Sequence, residues 1–511
     1  MDLGRMLAQT AERFPDKTAI IFKDQKTSYA EFDRRANQVA NALIALGVQP
    51  GDRVAVLIHN LPLFMEAYYG ILKAGAAVVP MNVLYKPGEV EYILKDSGAR
   101  VLLTFGPFAQ TALTAAANVP EVRDVIVAAP QEIPGARSWA ETIGNASTEA
   151  PHVEVSPEQM AVFSYTSGTT GRPKGAMLSH RNLIANCEQG MSLPNTAVRP
   201  DDVVWIALPL FHIYAMNVGM NLTVMNAGAM VVIDRFEPVS SLEAIQKYRC
   251  TVLYGAPPMF VAWVQLPNVR DYDLSSLRFV ASGAAALPVR IMETFEALAG
   301  VPISEGYGLS EAAPVVTSNA AAPKVKPGTV GLPMPGVEVK IIDAAGNEVP
   351  RGELGELICR GSNIMMGYWH QPEATAEALH DGWLHTGDLA MIDDEGYVSI
   401  VDRKKDMINV SGFNVYPREV EEVLFRHPAV AEAAVVQYPD PYQGESVLAY
   451  VVLKQGATAT EQEIIDYCRS EIATFKCPRK VVFRDELPKN NTGKVLRREL
   501  RDQAAQMVQT A

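Results

Sequence analysis

Strand-like and helix-like stretches alternate through the first 150 residues, and this alternation restricts the fold more than any other feature. Tyr29 to Leu46 carries apolar residues at helical spacing, Arg53 to Ile58 (RVAVLI) reads as a buried strand, Leu61 to Lys73 is helical again, and Ala76 to Val79 is a short strand. Glu89 to Lys95 and Val101 to Thr104 repeat the pattern. Similar short strands recur at Val203 to Ala207, Met230 to Ile233, Val252 to Tyr254 and Arg278 to Ala281. Strands separated by helices pair in parallel, because a parallel neighbour is reached only through a crossover. The expected class is therefore α/β, with mostly parallel sheets flanked by helices. After about Pro323 the texture changes: VEVKIID, GELICRG and GYVSIVD, separated by Gly-rich turns, read as antiparallel strands and hairpins.

A chain of 511 residues exceeds what one ordinary core holds, so at least two domains are expected. The charged run DRKKD, Asp402 to Asp406, is the boundary candidate, dividing a large N-terminal domain (1–401) from a small α+β unit (402–511). Alternatively it is an exposed turn inside one domain. Hydrophobic residues at 48% and charged residues at 20% are ordinary for a globular chain. The net charge of −13 argues against a general nucleic-acid binder, which needs a basic face. The excess acidity lies before Asp402; Lys476 to Arg501 holds nine basic and three acidic residues, either a solvated helical face or a local phosphate-attracting patch. The five cysteines have no C-x-x-C spacing, so neither a disulfide framework nor a zinc site is expected, and a reducing, cytoplasmic setting fits. No signal peptide or membrane span is read: the N-terminus is a short amphipathic helix, and the apolar stretch from Phe64 to Tyr85 is broken by Glu66 and Lys73.

The strongest local signal is YTSGTTGRPKG, Tyr165 to Gly175. Its glycines let the backbone bend and approach a ligand closely. Thr166, Ser167, Gly168, Thr169, Thr170 and Lys174 offer amides, hydroxyls and one cation, the donor set a polyphosphate needs. It is not the common nucleotide P-loop, since Pro173 stands where that pattern has its second glycine.

YTSGTTGRPKG resembles the signature loop of the adenylate-forming superfamily, which includes acyl-CoA synthetases. Further matches follow in order: LPLFHIYA, SGAAAL, EGYGLSE, WLHTGD, VDRKKDMINVSGFNVYP and PKNNTGKV. EGYGLSEAAPV and the VDRKKD segment most resemble bacterial fatty-acyl-CoA synthetases. The resemblance implies activation of a carboxylic acid by ATP to an acyl-adenylate with loss of pyrophosphate, then thioester formation with CoA and loss of AMP. It also implies a small β-barrel-like part, a mobile C-terminal lid and a requirement for Mg²⁺.

By this resemblance the loop from Thr166 to Lys174 holds the outer phosphates. Tyr307 stacks on adenine beside Gly283, Ala284 and Ala285, within the frame Glu305, Gly306, Tyr307, Gly308. Ser310 donates to the α-phosphate and Glu311 binds Mg²⁺, a hard cation suited to one carboxylate plus phosphates and waters. Asp388 accepts from the ribose hydroxyls, with Arg403 nearby. Lys494 is the catalytic cation, bridging the substrate carboxylate and the α-phosphate. His212 gates the acyl site. Asp402 is the hinge of the lid, whose rotation withdraws Lys494 and brings Ser411 and Gly412 to a thiol tunnel, where Gly412 leaves room for the pantetheine arm.

Amino-acid-activating members of the superfamily usually place an Asp after the His-type motif; HIYAMNVGMNLTVMNAGAM has none and is apolar and Met-rich, so an apolar tunnel is expected. The resemblance to fatty-acyl-CoA synthetases then implies a medium- to long-chain fatty acid first and an aromatic or cyclic acid second. Transfer to a carrier protein, a catalytically silent nucleotide sensor, a luciferase-like oxygenase and a homodimer stay open at this level.

Overall fold

A computed structural model describes residues 1–166, 173–193, 198–440, 444–490 and 493–509, with side chains to 507. The alternation read from the sequence becomes two large sheets. In the first, six strands run parallel in the spatial order Thr18–Phe22, Ala229–Val232, Val203–Ile206, Val252–Gly255, Phe279–Ser282, Ile303–Gly308. In the second, Met160–Thr166, Ala77–Pro80, Arg53–Leu57, Val101–Phe105 and Asp124–Ala128 run parallel. Most of these strands, such as Ala229–Val232, Ala77–Pro80 and Val101–Phe105, are largely aliphatic and buried on both faces, as a sheet covered by helices requires.

The helices have local causes as well as packing. Ser179 caps His180–Met191, and its side chain and that of Asn182 satisfy each other's backbone N–H groups across the first turn. The stretch after His212 departs from an ordinary helix: Tyr214–Asn221 is π-helical and continues as an α-helix, Leu222–Met225. Such widened turns recur at functional sites because they re-aim side chains without ending the helix.

The antiparallel region after Pro323 is a five-stranded sheet with Glu338–Ile342, Gly355–Arg360, Trp383–Ile392 and Leu379–His380 in that order, and Val398–Arg403 beside the third. Its described strands close no ring of hydrogen bonds, so the barrel-like part is an open sheet here. The final 100 or so residues form a mixed sheet built on the long hairpin Val430–Asp440 and Gly444–Leu453, flanked by Ile408–Val410, Phe413–Val415 and Lys480–Phe483. Helices Pro417–Arg426, Glu461–Glu471 and Arg497–Gln509 accompany it. Its apolar clusters draw only on residues from Ile408 onward, whereas the clusters of the larger body end at Ile400.

Two charge readings change. DRKKD forms a turn with Arg403, Lys404 and Lys405 exposed, but its two acids, Asp402 and Asp406, are buried, because Arg497 and Arg501 reach them from the last helix. The basic stretch is largely neutralised from within. Lys476 pairs with Glu419, Arg479 with Asp440, Lys489 with Glu432, Arg497 with Glu421 and Arg501 with Asp406, so five of its nine cations already have carboxylate partners.

Candidate active site

The strands Phe279–Ser282 and Ile303–Gly308 are parallel neighbours, with Ser282 opposite Glu305. The chain leaves both at their carboxyl ends, where open α/β sheets gather ligand-binding loops. Gly283 follows the first strand, and a Cβ there would lie 3.1 Å from the Tyr214 ring. Ala284 adopts a left-handed φ of 71°, turning the backbone across the opening. Together with Ala285, Gly306, Tyr307, Gly308 and Ser310, these residues line one side of a cavity of about 2240 Å³. That exceeds the roughly 300–1,000 Å³ of a single small-molecule pocket and leaves room for more than one substrate.

Tyr307 donates a hydrogen bond to Oδ2 of Asp388 at 2.6 Å, and Arg403 Nε lies 3.3 Å from Oδ1. Asp388 and Arg403 are cross-strand partners of the antiparallel sheet, so pairing alone aligns them. A carboxylate has about four acceptor positions, and those left free can take a vicinal diol. Glu305 is buried. Its Oε1 accepts the backbone N–H of Leu287 at 2.9 Å and its Oε2 has no hydrogen-bond partner among the described residues. Burial, only partly offset by Arg418, pushes its carboxyl up to about 7.

Thr166 and Lys174, which also line the cavity, carry donors that suit a phosphate. Thr166 ends one strand and Lys174 opens the next, Lys174–Ser179. Ser167, Gly168, Thr169 and Thr170 lie outside the described residues. Tyr368 connects the two sides: its hydroxyl donates to Glu311 Oε1 at 2.8 Å, and the Lys174 ammonium lies 5.3 Å from its ring centroid. Thr166 Oγ1 lies 3.4 Å from the same Glu311 oxygen. Among the described residues no group of three or more His, Cys, Asp or Glu could hold a metal by itself. One carboxylate beside hydroxyls fits Mg²⁺, which is held by one or two carboxylates with phosphates and water.

The C-terminal unit closes this cavity. Lys494 follows Gly493 on a turn in which the Asn490 N–H donates to the Lys494 carbonyl at 2.9 Å and the Lys494 N–H donates to Asn490 Oδ1 at 2.8 Å. Its side chain lines the cavity and is half-buried. That desolvation, with Arg403 next in effect and Asp388 opposing, lowers the ammonium to about 8. His212 senses the same charge: burial first, then Lys494, hold its imidazole down at about 4, so it is neutral at physiological pH. Its Nδ1 accepts from the Tyr214 N–H at 3.3 Å. Lys494, His212, Asp388 and Arg403 therefore meet in one place although 282 residues separate the first two in sequence.

This coupling has a measurable consequence. An ammonium at about 8 is charged below that pH and loses its proton above it. The kcat/KM for adenylate formation, which reports the free enzyme, should fall as pH rises through about 8. Lys494→Arg should remove that limb, because a guanidinium stays charged. A profile flat to about pH 10, near the ordinary lysine value, in the parent enzyme contradicts the assignment.

Not every expected residue is gathered here. Ser411 and Gly412 sit at the tip of the exposed hairpin joining Ile408–Val410 and Phe413–Val415, away from the cavity lining. Gly412 has φ of 90°, and a Cβ there would meet nothing within 4 Å, so in this pose its glycine serves the turn and not a tunnel. Asp402 ends the last strand of the antiparallel sheet, where its carboxylate accepts from the Arg403 and Arg418 backbone N–H groups at 2.7 and 3.0 Å. Tyr368, Pro258 and Arg497 were not singled out in the sequence. Tyr368 and Pro258 fall outside the ordered motifs, and Arg497 reads as one cation among several.

Family models match both parts of the chain: "AMP-binding enzyme" over residues 7–369 and "AMP-binding enzyme C-terminal domain" over residues 419–494. The chain belongs to the AMP-binding enzyme family. This AMP-binding enzyme is 39% identical to a long-chain-fatty-acid–CoA ligase of Bacillus subtilis, covering 98% of this chain and 94% of that protein. It is 38% identical to a feruloyl-CoA synthase of an Amycolatopsis species, covering 98% of each. It superimposes on the crystal structure of the anthranilate CoA ligase AuaEII in complex with anthranoyl-AMP with a TM-score of 0.94, at 31% identity, over 99% of this chain and 98% of that one.

Proposed function

We propose that this enzyme activates a medium- to long-chain fatty acid as an acyl-adenylate and transfers the acyl group to CoA. The observation that carries the reading is the meeting of Lys494 with Asp388, Arg403 and His212 in one cavity walled by Lys174, Thr166 and Glu311. In the first half-reaction a substrate carboxylate attacks the α-phosphate, two anions that repel. In this reading the Lys494 ammonium bridges them. Asp388 and Tyr307 hold the ribose and adenine, and Lys174, Thr166 and the rest of the Thr-rich loop hold the outer phosphates. Mg²⁺, when bound at Glu311, neutralises phosphate charge. Ser310 donates to the α-phosphate. No enzyme nucleophile is required; positioning and charge stabilisation suffice.

In the second half-reaction the thiol attacks the mixed anhydride and AMP leaves. The hairpin tip at Ser411 and Gly412 is solvent-facing in the present pose, so the reading requires the C-terminal unit, 402–511, to turn about Asp402 and carry that tip to the cavity. His212, neutral and at the acyl end, gates the thiol's approach.

The choice of acid rests on the apolar side chains Phe211, Ile213, Val218, Leu222 and Val261 in the cavity lining. The feruloyl and anthranilate enzymes among its relatives make an aromatic acid the second reading. Free CoA as acceptor, ATP as activator and Mg²⁺ as cofactor follow from the chemistry of the same site. Among the described residues no helix is long and apolar enough to cross a membrane. A cytoplasmic setting and a homodimer are part of the proposal. ATP–pyrophosphate exchange over fatty, aromatic and amino acids, followed by CoA addition, tests it. Exchange should be fastest with aliphatic acids and CoA should then yield the thioester; exchange with amino acids alone overturns the proposal.

A further inference from the structure

The turn that carries Glu311 is short and makes few bonds of its own. Ser310–Ala312 is a single 3₁₀ turn, and Ala313 after it adopts a left-handed φ of 61°. That conformation is uncommon for a residue with a side chain and persists where the surroundings impose it. Here they do so through the main chain, since each carbonyl from Glu311 to Val315 has a donor. The Met365 N–H reaches the Glu311 carbonyl at 2.8 Å, and the Leu309 N–H reaches that of Pro314 at 3.0 Å. Asparagine side chains meet the other three: Asn363 Nδ2 donates to Ala312 at 2.7 Å, Asn217 Nδ2 to Ala313 at 2.7 Å and Asn186 Nδ2 to Val315 at 2.9 Å.

These three asparagines come from separate segments, and all are buried. The helix His180–Met191 ties them together. It contains Asn186, and its Asn182 Nδ2 donates to the Ser362 and Ile364 carbonyls on either side of Asn363. Its Leu183 carbonyl takes the second Asn217 N–H at 3.0 Å. Both Asn217 donors therefore go to carbonyls, while its Oδ1 accepts from Asn221 at 2.9 Å and lies 3.4 Å from the Cys187 thiol. An apolar side chain at 217 would fill the space but leave the buried Ala313 carbonyl without this donor, and an aspartate would set oxygen against oxygen. The turn held in this way presents Glu311 Oε1 to the Tyr368 and Thr166 hydroxyls.

We propose that Asn217 is a positioning residue for the metal: through the Ala313 carbonyl it fixes the turn from which Glu311 reaches Mg²⁺, and Asn363 does the same through Ala312. The proposal rests on the reading of Glu311 as the Mg²⁺ carboxylate of the ligase reaction. Mn²⁺ is the probe. Its free spin-resonance signal measures occupancy in the enzyme–ATP complex, and calorimetry with EDTA measures ATP binding without metal. In Asn217→Ala the Mn²⁺ needed for half-occupancy should rise about tenfold, the low end of what partners behind a metal ligand are worth, while metal-free ATP binding stays within about twofold of the parent. ATP–pyrophosphate exchange with palmitic acid should be slow at low Mg²⁺ and recover at saturating Mg²⁺, a pattern that a merely loosened fold does not produce. Asn37→Ala removes another buried asparagine, from the helix Tyr29–Ala45, and should leave Mn²⁺ occupancy unchanged. Thermal melting checks folding, and Asn363→Ala carries the test if Asn217→Ala melts early. Parental Mn²⁺ occupancy in the folded variants, the same loss in Asn37→Ala, or an equal loss of metal-free ATP binding overturns the proposal and leaves the ligase reading intact. A parent that binds Mn²⁺ with ATP yet activates no acid overturns the ligase reading. A parent whose ATP complex takes up no Mn²⁺ overturns both.

Discussion

Lys494→Ala should lose adenylate formation by about 10²–10³-fold, the usual cost of deleting one preorganised charge stabiliser, about 3–4 kcal/mol. The same variant, supplied with preformed acyl-adenylate and CoA, should make thioester at close to the parental rate. The asymmetry follows from the chemistry. In the first half-reaction as proposed two anions approach each other, and Lys494 lies near the Arg403 guanidinium and the Asp388 carboxylate. In the second the nucleophile is a thiol and the electrophile already exists, so the lysine has no repulsion to offset. Its environment is consistent with a working cation: partial burial lowers its ammonium to about 8, and a partly desolvated charge interacts more strongly than one in bulk water. Lys489 is the internal control. It lies five residues earlier but pairs with Glu432 at 2.5 Å, so Lys489→Ala should touch stability slightly and neither half-reaction. Equal loss of both half-reactions in Lys494→Ala would refute the division of labour.

Legibility in the sequence followed physical range. Strands such as Arg53–Leu57 and Val101–Phe105 are short apolar runs between turn signals, and they lie within a residue or two of where periodicity puts them. Among the motif glycines Gly308 has a backbone reason as well, because a Cβ there would fall 2.1 Å from the Pro314 carbonyl oxygen. What depends on approach between distant segments was not legible. Nothing around Tyr368 announces that its hydroxyl will hold Glu311 while its ring lies under Lys174. Nothing in DRKKD announces that Arg497 and Arg501 will arrive from the far end of the chain and bury its two acids while its cations stay exposed. The π-helical turn at Tyr214–Asn221 has an apolar, Met-rich sequence compatible with an ordinary buried helix; its widening accompanies Asn217 and Asn221 satisfying one another within the core.

Gly493 provides the sharpest test of how the C-terminal unit seats on the larger body. Its φ is 78°, and a Cβ there would fall 2.5 Å from Pro258 Cγ, 3.0 Å from Cβ and 3.3 Å from Cδ. Two penalties thus meet in Gly493→Ala. The left-handed backbone costs about 1–2 kcal/mol wherever the turn is. The overlap with Pro258, about 1–3 kcal/mol as overpacking goes, exists only when the turn is pressed against the larger body. Since about 1.4 kcal/mol is tenfold in an equilibrium, the second term alone should deplete the closed pose by about 5- to 150-fold. Adenylate formation should fall accordingly, whereas thioester formation from preformed adenylate should fall far less, because the lysine turn is then withdrawn. Pro258→Ala removes Cγ and Cδ, the atoms that collide first and third. In the double variant it should restore most of the overlap term but none of the backbone term, leaving a residual defect common to both half-reactions. If Pro258→Ala restores nothing, contact between these two residues does not govern closure, and the seating of Lys494 must be held elsewhere, with the Arg497 cluster at Glu421, Asp402 and Asp406 as the next place to cut.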